Sequence, residues 1–145
     1  MLVSDVMHAG SVEAIDRGET LVHAAEALRE HRISSLAVTD GGRLVGIVTE
    51  RDIVAKVADG SDARATTAAE AMTDAPVTVG PATELRAAAQ IMADRGIRHL
   101  PVVEGSDLVG MLSVRDLLGW AMGQIDGTPD LWPDLMVAIA TEWPH

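Results

Sequence analysis

The sequence predicts a mixed α/β fold of the α+β kind, in which a strand, a helix, a two-stranded hairpin and a second helix occur twice in tandem. Three observations support this prediction. The segment 44–52 returns 64 residues later at 108–116 with five identities. Apolar residues recur at helical spacing before each hairpin, and Gly-containing turns separate the strands of each apolar pair. Because one copy is too short to bury an apolar face alone, the two copies are expected to stack.

The first copy begins with a short strand at 12–15. A helix follows from Thr20, because apolar residues then lie on one face at i, i+3, i+4 and i+7, namely Leu21, Ala24, Ala25 and Leu28. Strands at 34–39 and 43–48 flank a turn at 40–42 and form a hairpin. A second helix is predicted to begin at Thr49.

The second copy repeats this order, with a strand at 77–79, hairpin strands at 98–103 and 107–112, and a helix from Ser113. Its first helix has the same apolar face and a Gly as a C-terminal stop, through Leu85, Ala88, Ala89, Met92 and Gly96. Residues 4–7 match 69–72 at an offset of 65, whereas the helices match at 64. One residue is therefore predicted to have been gained or lost between the leading strand and the helix.

These patterns divide the chain into a first unit at 1–58, a polar linker at 59–66, a second unit at 67–123 and a tail at 124–145. The tail lies outside the repeat. Its apolar segment at 135–140 follows Asp134 and predicts a short helix that covers either the core or a partner chain, and core packing is the favoured interpretation.

The charge of the chain argues against nucleic acid as a partner. The formal net charge is −11, from 22 acidic and 11 basic residues, whereas a duplex binder needs a basic surface. No apolar run approaches the roughly 20 residues that cross a bilayer, and the first residues do not resemble a signal peptide, so no membrane association and a cytoplasmic location are expected. The absence of Cys excludes disulfide and thiolate chemistry.

Catalytic and metal chemistry find no support in the sequence. The five His residues never occur at metal-ligand spacing, so no metal site is predicted. There is no Gly-rich phosphate loop with Lys, no nucleophile elbow and no zinc-protease helix motif. The chain is therefore predicted not to be an enzyme.

The repeated hydroxyl and carboxylate residues admit two interpretations. Thr49 with Asp52, and Ser113 with Asp116, have the spacing of a capping box, which stabilises a helix start by about 1 kcal/mol without any ligand. Alternatively, the free N–H groups of a helix start attract phosphate, and the hydroxyl adds a donor there. The residue pattern alone leaves both interpretations open.

The segments Gly46 to Asp52 and Gly110 to Asp116, together with Ile97 to Val103, resemble the motifs of a tandem pair of CBS domains, named for cystathionine beta-synthase. The resemblance covers about residues 1–123. It implies two beta-alpha-beta-beta-alpha units packed sheet to sheet with pseudo-twofold symmetry, commonly paired into a homodimer through helices. Many members of the family bind adenosine ligands in the cleft between the two units.

The resemblance also implies roles for individual residues. Asp52 and Asp116 would accept hydrogen bonds from ribose hydroxyls, as a carboxylate can, and Thr49 and Ser113 would contact phosphate. The neighbouring residues Arg51 and Arg115 are either surface charges or phosphate ligands. The adenine base would lie near the first and middle strands, where the candidates, also explained by core packing, are Val12, Val77, Thr78, Leu36, Leu100 and Pro101.

The two copies differ on the middle strand, and this makes the predicted sites unequal. Arg98 and His99 align with Ser34 and Ser35, so cationic donors for phosphate occur on that strand only in the second copy. Solvated strand residues are the alternative. The second site is therefore preferred for a ligand that carries phosphate.

Taken with the resemblance, these features predict a regulatory module that senses an adenosyl ligand and acts on an unidentified protein through dimer or partner contacts. AMP, ADP or ATP rank ahead of S-adenosylmethionine or NADH, and no cofactor is required. The alternatives are a ligand-free structural or dimerisation module, in which the motifs only cap helices, and an enzyme that uses a nucleotide.

Overall fold

The computed structural model describes residues 1–9 and 12–123. After a short 3-10 turn at Val3–Asp5, the strands and helices follow in the order β1 (His8–Ala9), β2 (Ala14–Asp16), α1 (Leu21–His31), β3 (Ser35–Asp40), β4 (Arg43–Thr49), α2 (Glu50–Ala58), α3 (Ala68–Ala71), β5 (Thr73–Asp74), α4 (Leu85–Arg95), β6 (His99–Glu104), β7 (Asp107–Ser113) and α5 (Val114–Gly123). The mixed α/β class is confirmed. The predicted helix at 135–140 lies outside the described residues.

Two compact units make up the described chain. The first-copy unit contains residues 12–76 and 106–108, and the second-copy unit contains residues 1–9, 77–105 and 109–123. Residues 1–9 therefore pack with the second copy, and residues 67–76 pack with the first. The predicted boundaries between the first unit, the linker and the second unit, at 58/59 and 66/67, follow the repeat in the sequence and stay a prediction.

The first-copy unit is built on the hairpin of β3 and β4. The strands pair antiparallel, with Ser35 opposite Thr49 and Asp40 opposite Arg43. Gly41 and Gly42 form the turn at φ of 59° and 83°, a backbone conformation that residues with a Cβ rarely adopt. On the other side of β3, β2 runs parallel to it, and α1 provides the crossover connection that a parallel pair needs.

The second-copy unit repeats the hairpin with β6 and β7. The strand predicted at 77–79 is reduced to a single parallel bridge between Val79 and Val102. This bridge is equivalent to the pairing of Ile15 with Val38, because Val79 and Val102 lie 64 residues after Ile15 and Val38. The one-residue difference therefore lies before the leading strand, so the prediction that it falls between strand and helix is wrong.

The leading segments exchange between the copies. β1 precedes the first copy in sequence, yet His8 pairs with Met111 and Ala9 with Gly110 on β7 of the second. β5 precedes the second copy, yet Thr73 pairs with Ile47 on β4 of the first. Each hairpin thus receives its added edge strand from the other half of the sequence.

Helix boundaries follow from local chemistry. At the start of α1, the Thr20 hydroxyl accepts a hydrogen bond from His23 N–H at 3.3 Å, and α4 ends at Gly96 with φ of 62°, which confirms the predicted stop. The equivalent residue after α1 is Arg32, which adopts the same left-handed conformation at φ of 54°. Within α1, Ala25 is exposed, whereas its counterpart Ala89 is buried, so the predicted apolar face is narrower in the first copy.

The two cores are copies of one another. Eight buried residues form the first, namely Ile15, Leu21, Ala24, Leu28, Leu36, Val38, Val48 and Ala68. Their counterparts in the second are Val79, Leu85, Ala88, Met92, Leu100, Val102, Leu112 and Val3. Each fully buried Leu contributes roughly 1.5–3 kcal/mol. Aliphatic packing in each unit therefore fixes the ends of the strands from which the candidate site is built.

The short helix α3 is an element that the sequence reading omitted. Thr67 and Glu70 form a capping box at its start, in which Thr67 N–H donates to Glu70 Oε2 at 2.8 Å and Glu70 N–H donates to Thr67 Oγ1 at 3.3 Å. The Thr-x-x-Glu spacing was a usable signal for it. Among the described residues, no helix is long and apolar enough to cross a membrane.

Candidate functional site

The first helix start of the motif is a complete capping box. Asp52 N–H donates to Thr49 Oγ1 at 3.3 Å, and Thr49 N–H donates to Asp52 Oδ2 at 2.8 Å. The Thr49 hydroxyl also donates to the same carboxylate oxygen at 3.0 Å. The side chains therefore satisfy backbone groups that the first turn of α2 leaves without helical partners.

The second helix start has the same geometry with slightly shorter bonds. Ser113 N–H and the Ser113 hydroxyl donate to Asp116 Oδ2 at 2.7 and 2.8 Å, and Asp116 N–H donates to Ser113 Oγ at 3.2 Å. All four motif residues are half-buried. The capping interpretation is therefore confirmed at both helix starts. Any ligand bound there would contact residues that already stabilise the fold.

A backbone hydrogen bond joins each helix start to the beginning of the middle strand. Val114 N–H donates to the Arg98 carbonyl at 2.9 Å, and Glu50 N–H donates to the Ser34 carbonyl at 3.1 Å. In the second-copy unit this bond places Arg98 and His99 beside Ser113 and the first turn of α5. The alignment of the two copies pairs Arg98 and His99 with their counterparts, but it gives no sign of the backbone hydrogen bond that joins this segment to the start of α5.

Charge and burial act together on His99. The ring is half-buried, and loss of solvent, followed by the neighbouring Arg98 and Arg115, lowers its pKa to about 4, against an opposing contribution from Asp116. His99 is therefore neutral at neutral pH in the free chain. The expectation of two cationic donors on this strand is corrected to one, because burial disfavours the protonated ring while Arg98 is exposed and keeps its charge.

The motif glycine of the first copy is required by close packing. A Cβ on Gly46 would lie 2.9 Å from the Thr73 carbonyl oxygen and would overlap Met72 Sδ. Both neighbours belong to the segment that pairs β5 with β4. The glycine therefore serves the exchanged edge strand, and its presence in the motif has a structural cause that is independent of any ligand.

The residues predicted to contact a base fall into different environments. Leu36 and Leu100 are fully buried in the two cores, and Pro101 is buried with its carbonyl accepting a hydrogen bond from Val79 N–H at 3.1 Å. Val12 and Val77 are half-buried, and Thr78 is exposed. Core packing explains the two leucines, and a role for this set in binding a base stays a prediction.

The candidate residues divide between the two units, five in the first-copy unit and nine in the second. The first-copy unit holds Val12, Leu36, Thr49, Arg51 and Asp52. The second-copy unit holds Val77, Thr78, Arg98, His99, Leu100, Pro101, Ser113, Arg115 and Asp116. The second-copy unit therefore contains every polar group that was predicted to favour a phosphate on the middle strand.

The described residues of the two units differ in charge. Residues 12–76 and 106–108 carry 13 acidic and seven basic side chains, whereas residues 1–9, 77–105 and 109–123 carry five acidic and four basic ones. Residues 124–145 add four acidic side chains and no basic one, so this difference does not describe the charge of the whole second half of the chain. Arg98 and Arg115 are both exposed and supply local positive charge for a phosphate beside them.

The family follows from comparison with known proteins. The family model for the CBS domain matches the chain twice, at residues 3–59 and 68–123. The chain belongs to the CBS domain family. Two curated CBS domain proteins are among its relatives. The mitochondrial protein CBSX3 of Arabidopsis thaliana is 32% identical over 80% of this chain and 62% of its own length, so the chain spans less than two thirds of it. YhcV of Bacillus subtilis is 34% identical over 79% of this chain and 81% of its own.

Solved structures of CBS domain proteins share this fold. The CBS domain pair of protein MJ0100, in complex with 5'-methylthioadenosine and S-adenosyl-L-methionine, is 28% identical with a TM-score of 0.78, over 86% of this chain and 98% of that one. CBSX2 in complex with AMP is 26% identical with a TM-score of 0.75, over 84% and 96%. Hypoxic Response Protein I, with two coordinated zinc ions, is 33% identical with a TM-score of 0.75, over 82% and 98%.

Within residues 1–9 and 12–123, no group of three or more His, Cys, Asp or Glu side chains could hold a metal ion. His23 and His31 each pair with a single Glu instead, at 2.6 Å from Glu19 and 3.1 Å from Glu13. Each of these two His side chains on α1 therefore lies beside one surface carboxylate.

Proposed function

We propose that this CBS pair is a regulatory module that binds an adenine nucleotide or another adenosyl ligand at the helix starts of its repeats. AMP, ADP and ATP are the preferred ligands, ahead of S-adenosylmethionine and NADH, and the module does not transform what it binds. The observation that carries the proposal is the juxtaposition of Arg98 and His99 with the Ser113 and Asp116 helix start. Support comes from similar CBS structures that hold AMP, or 5'-methylthioadenosine and S-adenosyl-L-methionine.

The capping boxes are compatible with this role. A carboxylate offers about four lone-pair sites, and the box uses two of them on one oxygen of each Asp. In the proposal, Asp116 and Asp52 accept ribose hydroxyls while they continue to cap their helices. To donate to phosphate, the Ser113 and Thr49 hydroxyls would each turn their single proton away from the Asp carboxylate that accepts it in the free chain.

The second-copy site is proposed as the phosphate-binding one. Arg98 supplies a planar guanidinium that matches phosphate oxygens, and Arg115 adds a second exposed cation from α5. Its counterpart in the first copy has Ser34 at the Arg98 position and so lacks this cation. The first-copy site, with Arg51 beside Asp52, is therefore proposed to accept the less charged adenosyl ligands.

The output is proposed to pass through helix contacts, either in a homodimer or with an unidentified regulated protein. Val54 and Val57 on α2 are 65% and 56% exposed, and they lie on one face at i and i+3. Exposed aliphatic residues on a helix support an interface there. Regulation then requires only that the ligand bind one arrangement of the partners better than another. Nucleic acid and membrane are not proposed as partners, and a cytoplasmic location stays a prediction.

One second candidate function has an observation in its favour. The completed capping boxes account for Thr49, Asp52, Ser113 and Asp116 through helix stability alone. A ligand-free structural or dimerisation module would need nothing further from these residues. The exposed face of α2 suits that role equally well.

A thermal-shift panel separates the two functions. At a ligand concentration of about 100 times Kd, binding stabilises the folded state by roughly 2.7 kcal/mol, which raises Tm by on the order of 5 to 11 °C for a domain of this size. The panel comprises AMP, ADP, ATP, S-adenosylmethionine and NADH. A rise for at least one ligand supports the sensor, and no rise with any of them favours the structural module.

A pair of swapped variants tests the assignment of the phosphate site. Arg98→Ser gives the second copy the residue of the first, and Ser34→Arg makes the reverse change. Arg98→Ser is expected to weaken AMP binding by about tenfold, the loss of one charge-assisted bond of at least 1.4 kcal/mol. Adenosine binding should change little, and equal losses for AMP and adenosine would contradict the assignment.

A further inference from the structure

His99 occupies the position that a buried serine occupies in the first copy. Ser35, its counterpart, is 6% exposed and stands opposite Thr49 in the hairpin. In the second copy, the bond from Val114 N–H to the Arg98 carbonyl holds the imidazole beside the start of α5. A titratable ring therefore replaces an uncharged hydroxyl at the place where phosphate binding is proposed.

The ring is surrounded by charges of both signs. Arg98 acts on it from the residue before β6, and Arg115 and Asp116 act from the first turn of α5. Ser113, the adjacent residue of β7, carries no charge. Burial and the two arginines outweigh the single carboxylate and keep the ring neutral, with a pKa of about 4. The balance of one negative and two positive neighbours is the quantity that a ligand would change.

A bound phosphate changes this balance and a nucleoside does not. A phosphate monoester carries a charge of about −1.5 to −2 near pH 7, and it would lie beside Arg98 and Ser113 in the proposed site. An opposite charge within about 4–6 Å favours the protonated form of a His. Adenosine brings no charge to the same position, so it leaves the ring neutral.

We propose that His99 lets the second-copy site distinguish phosphorylated from unphosphorylated adenosyl ligands by taking up a proton as phosphate binds. The proton comes from solvent, and the resulting imidazolium donates a charge-assisted hydrogen bond to a phosphate oxygen. This inference rests on the proposed function of the site. Its consequence is that affinity for AMP rises as pH falls, whereas affinity for adenosine does not.

Calorimetry with AMP and with adenosine tests this inference. Titrations in two buffers of different ionisation enthalpy measure the protons taken up on binding. The affinity for AMP is expected to increase about threefold or more from about pH 8 to about pH 6.5, with proton uptake that grows in the same direction. Adenosine should show neither effect.

Two variants locate the proton. His99→Gln keeps hydrogen-bonding groups without a titratable ring, and it should abolish the rise in AMP affinity at lower pH, which leaves only the weaker binding caused by protonation of the phosphate itself at about pH 6. His23→Gln, which removes an exposed His on α1, should leave that dependence intact. NMR titration of the His99 ring in the unmodified chain, with and without saturating AMP, gives the same information if His99→Gln fails to fold, and a raised pKa with AMP is the expected result.

The outcomes separate this inference from the function on which it rests. Three outcomes would overturn the role of His99 and leave the adenosyl-binding proposal standing. They are AMP binding without proton uptake, equal proton uptake with adenosine, and an unchanged pH dependence of AMP affinity in His99→Gln. Failure of AMP and of every other phosphorylated adenosyl ligand to bind overturns the role of His99. If adenosine and S-adenosylmethionine also fail to bind, the proposed function is overturned with it.

Discussion

The carbonyl oxygen of Met1 accepts a hydrogen bond from the backbone N–H of Leu85 at 3.0 Å. Glu84, the N-cap residue of α4, makes no capping bond with its side chain, so the backbone of the leading segment supplies an acceptor at this helix start. The equivalent bond in the first-copy unit runs from Leu21 N–H to the Thr66 carbonyl at 2.9 Å. The leading segments are therefore integral parts of the two units.

Shortening the side chain of Val3 is expected to destabilise the fold, because Val3 is fully buried in the second core. Val3→Ala should lower the free energy of unfolding by about 2 kcal/mol through lost burial and a residual cavity. Urea denaturation measures the change. Glu30→Ala, at an exposed position of α1, is the control and should stay within about 0.5 kcal/mol of the parent protein.

The C-cap of α1 offers a stabilising substitution. Arg32 holds a left-handed conformation that costs residues with a Cβ roughly 1–2 kcal/mol, whereas the equivalent Gly96 adopts it freely. Arg32→Gly should raise the free energy of unfolding by about 0.5–1 kcal/mol after the entropy cost of Gly is included. Gly96→Ala, measured alongside by thermal unfolding, should lower it by about 1 kcal/mol. A higher free energy of unfolding for Arg32→Gly together with a lower one for Gly96→Ala is the result that supports the argument.

Gly46→Ala is expected to disrupt the edge of the first hairpin. The added Cβ overlaps Met72 Sδ and lies 2.9 Å from the Thr73 carbonyl, so the cost should be about 1–3 kcal/mol. The double variant Gly46→Ala with Met72→Ala removes only the side-chain part of the conflict. Partial recovery in the double variant, measured by denaturant unfolding, is expected; full recovery would show that the Thr73 backbone can shift at little cost.

A charged cap separates the two roles of Ser113. Asp can cap a helix as Ser does, but its carboxylate would lie beside Asp116 Oδ2, which is 2.8 Å from Ser113 Oγ, so Ser113→Asp should lower the stability of the free protein by about 1 kcal/mol without unfolding it. The new carboxylate would repel phosphate, so AMP binding should weaken by tenfold or more while adenosine binding changes much less. Thr67→Asp, at the start of α3, is the matched control. Unchanged AMP affinity in Ser113→Asp would exclude contact between Ser113 and phosphate.

The stability of the free chain should depend on pH through His99. Because its folded-state pKa is lowered to about 4 from an ordinary 6.5, the unfolded chain binds more protons between these values. The contribution of the neutral buried ring is complete above about pH 6.5 and is lost as pH falls toward 4, by up to about 3 kcal/mol. Chemical denaturation across this range should show a shallower decline for His99→Gln.

His23 should affect the pH dependence of stability in the direction opposite to His99. Its hydrogen bond to Glu19 raises its pKa, so its contribution is present at low pH and is lost as pH rises through the raised value. The ring is fully exposed, which makes the effect small. Comparing His23→Gln with His99→Gln in the same titration therefore tests both the sign and the role of burial.

The repeat made most of the fold predictable. Strands β3, β4, β6 and β7 lie within one residue of their predicted bounds, because apolar runs and glycine-containing turns are local signals. The partner of each leading segment was not predictable in this way. Residues 4–7 and 69–72 match each other in sequence, but sequence similarity does not state which hairpin a two-residue strand joins.

The candidate site was predictable in its residue types and less so in its electrostatics. The spacing of Ser113 and Asp116 identified the capping box, and the duplication identified Arg98 and His99 as a difference between the copies. The charge state of His99 depends on burial and on Arg115 from another element, which no local pattern contains. For the same reason, the steric need for Gly46 became visible only with Met72 and Thr73 in place.

The exchange of leading strands makes each unit discontinuous along the chain. A fragment cut within 59–66 would carry a hairpin without its added edge strand, together with a strand whose partner hairpin is on the other fragment. Two such fragments are complementary and neither is a self-sufficient folding unit. Because both halves belong to one chain, each hairpin gains its edge strand by folding and needs no association between separate molecules.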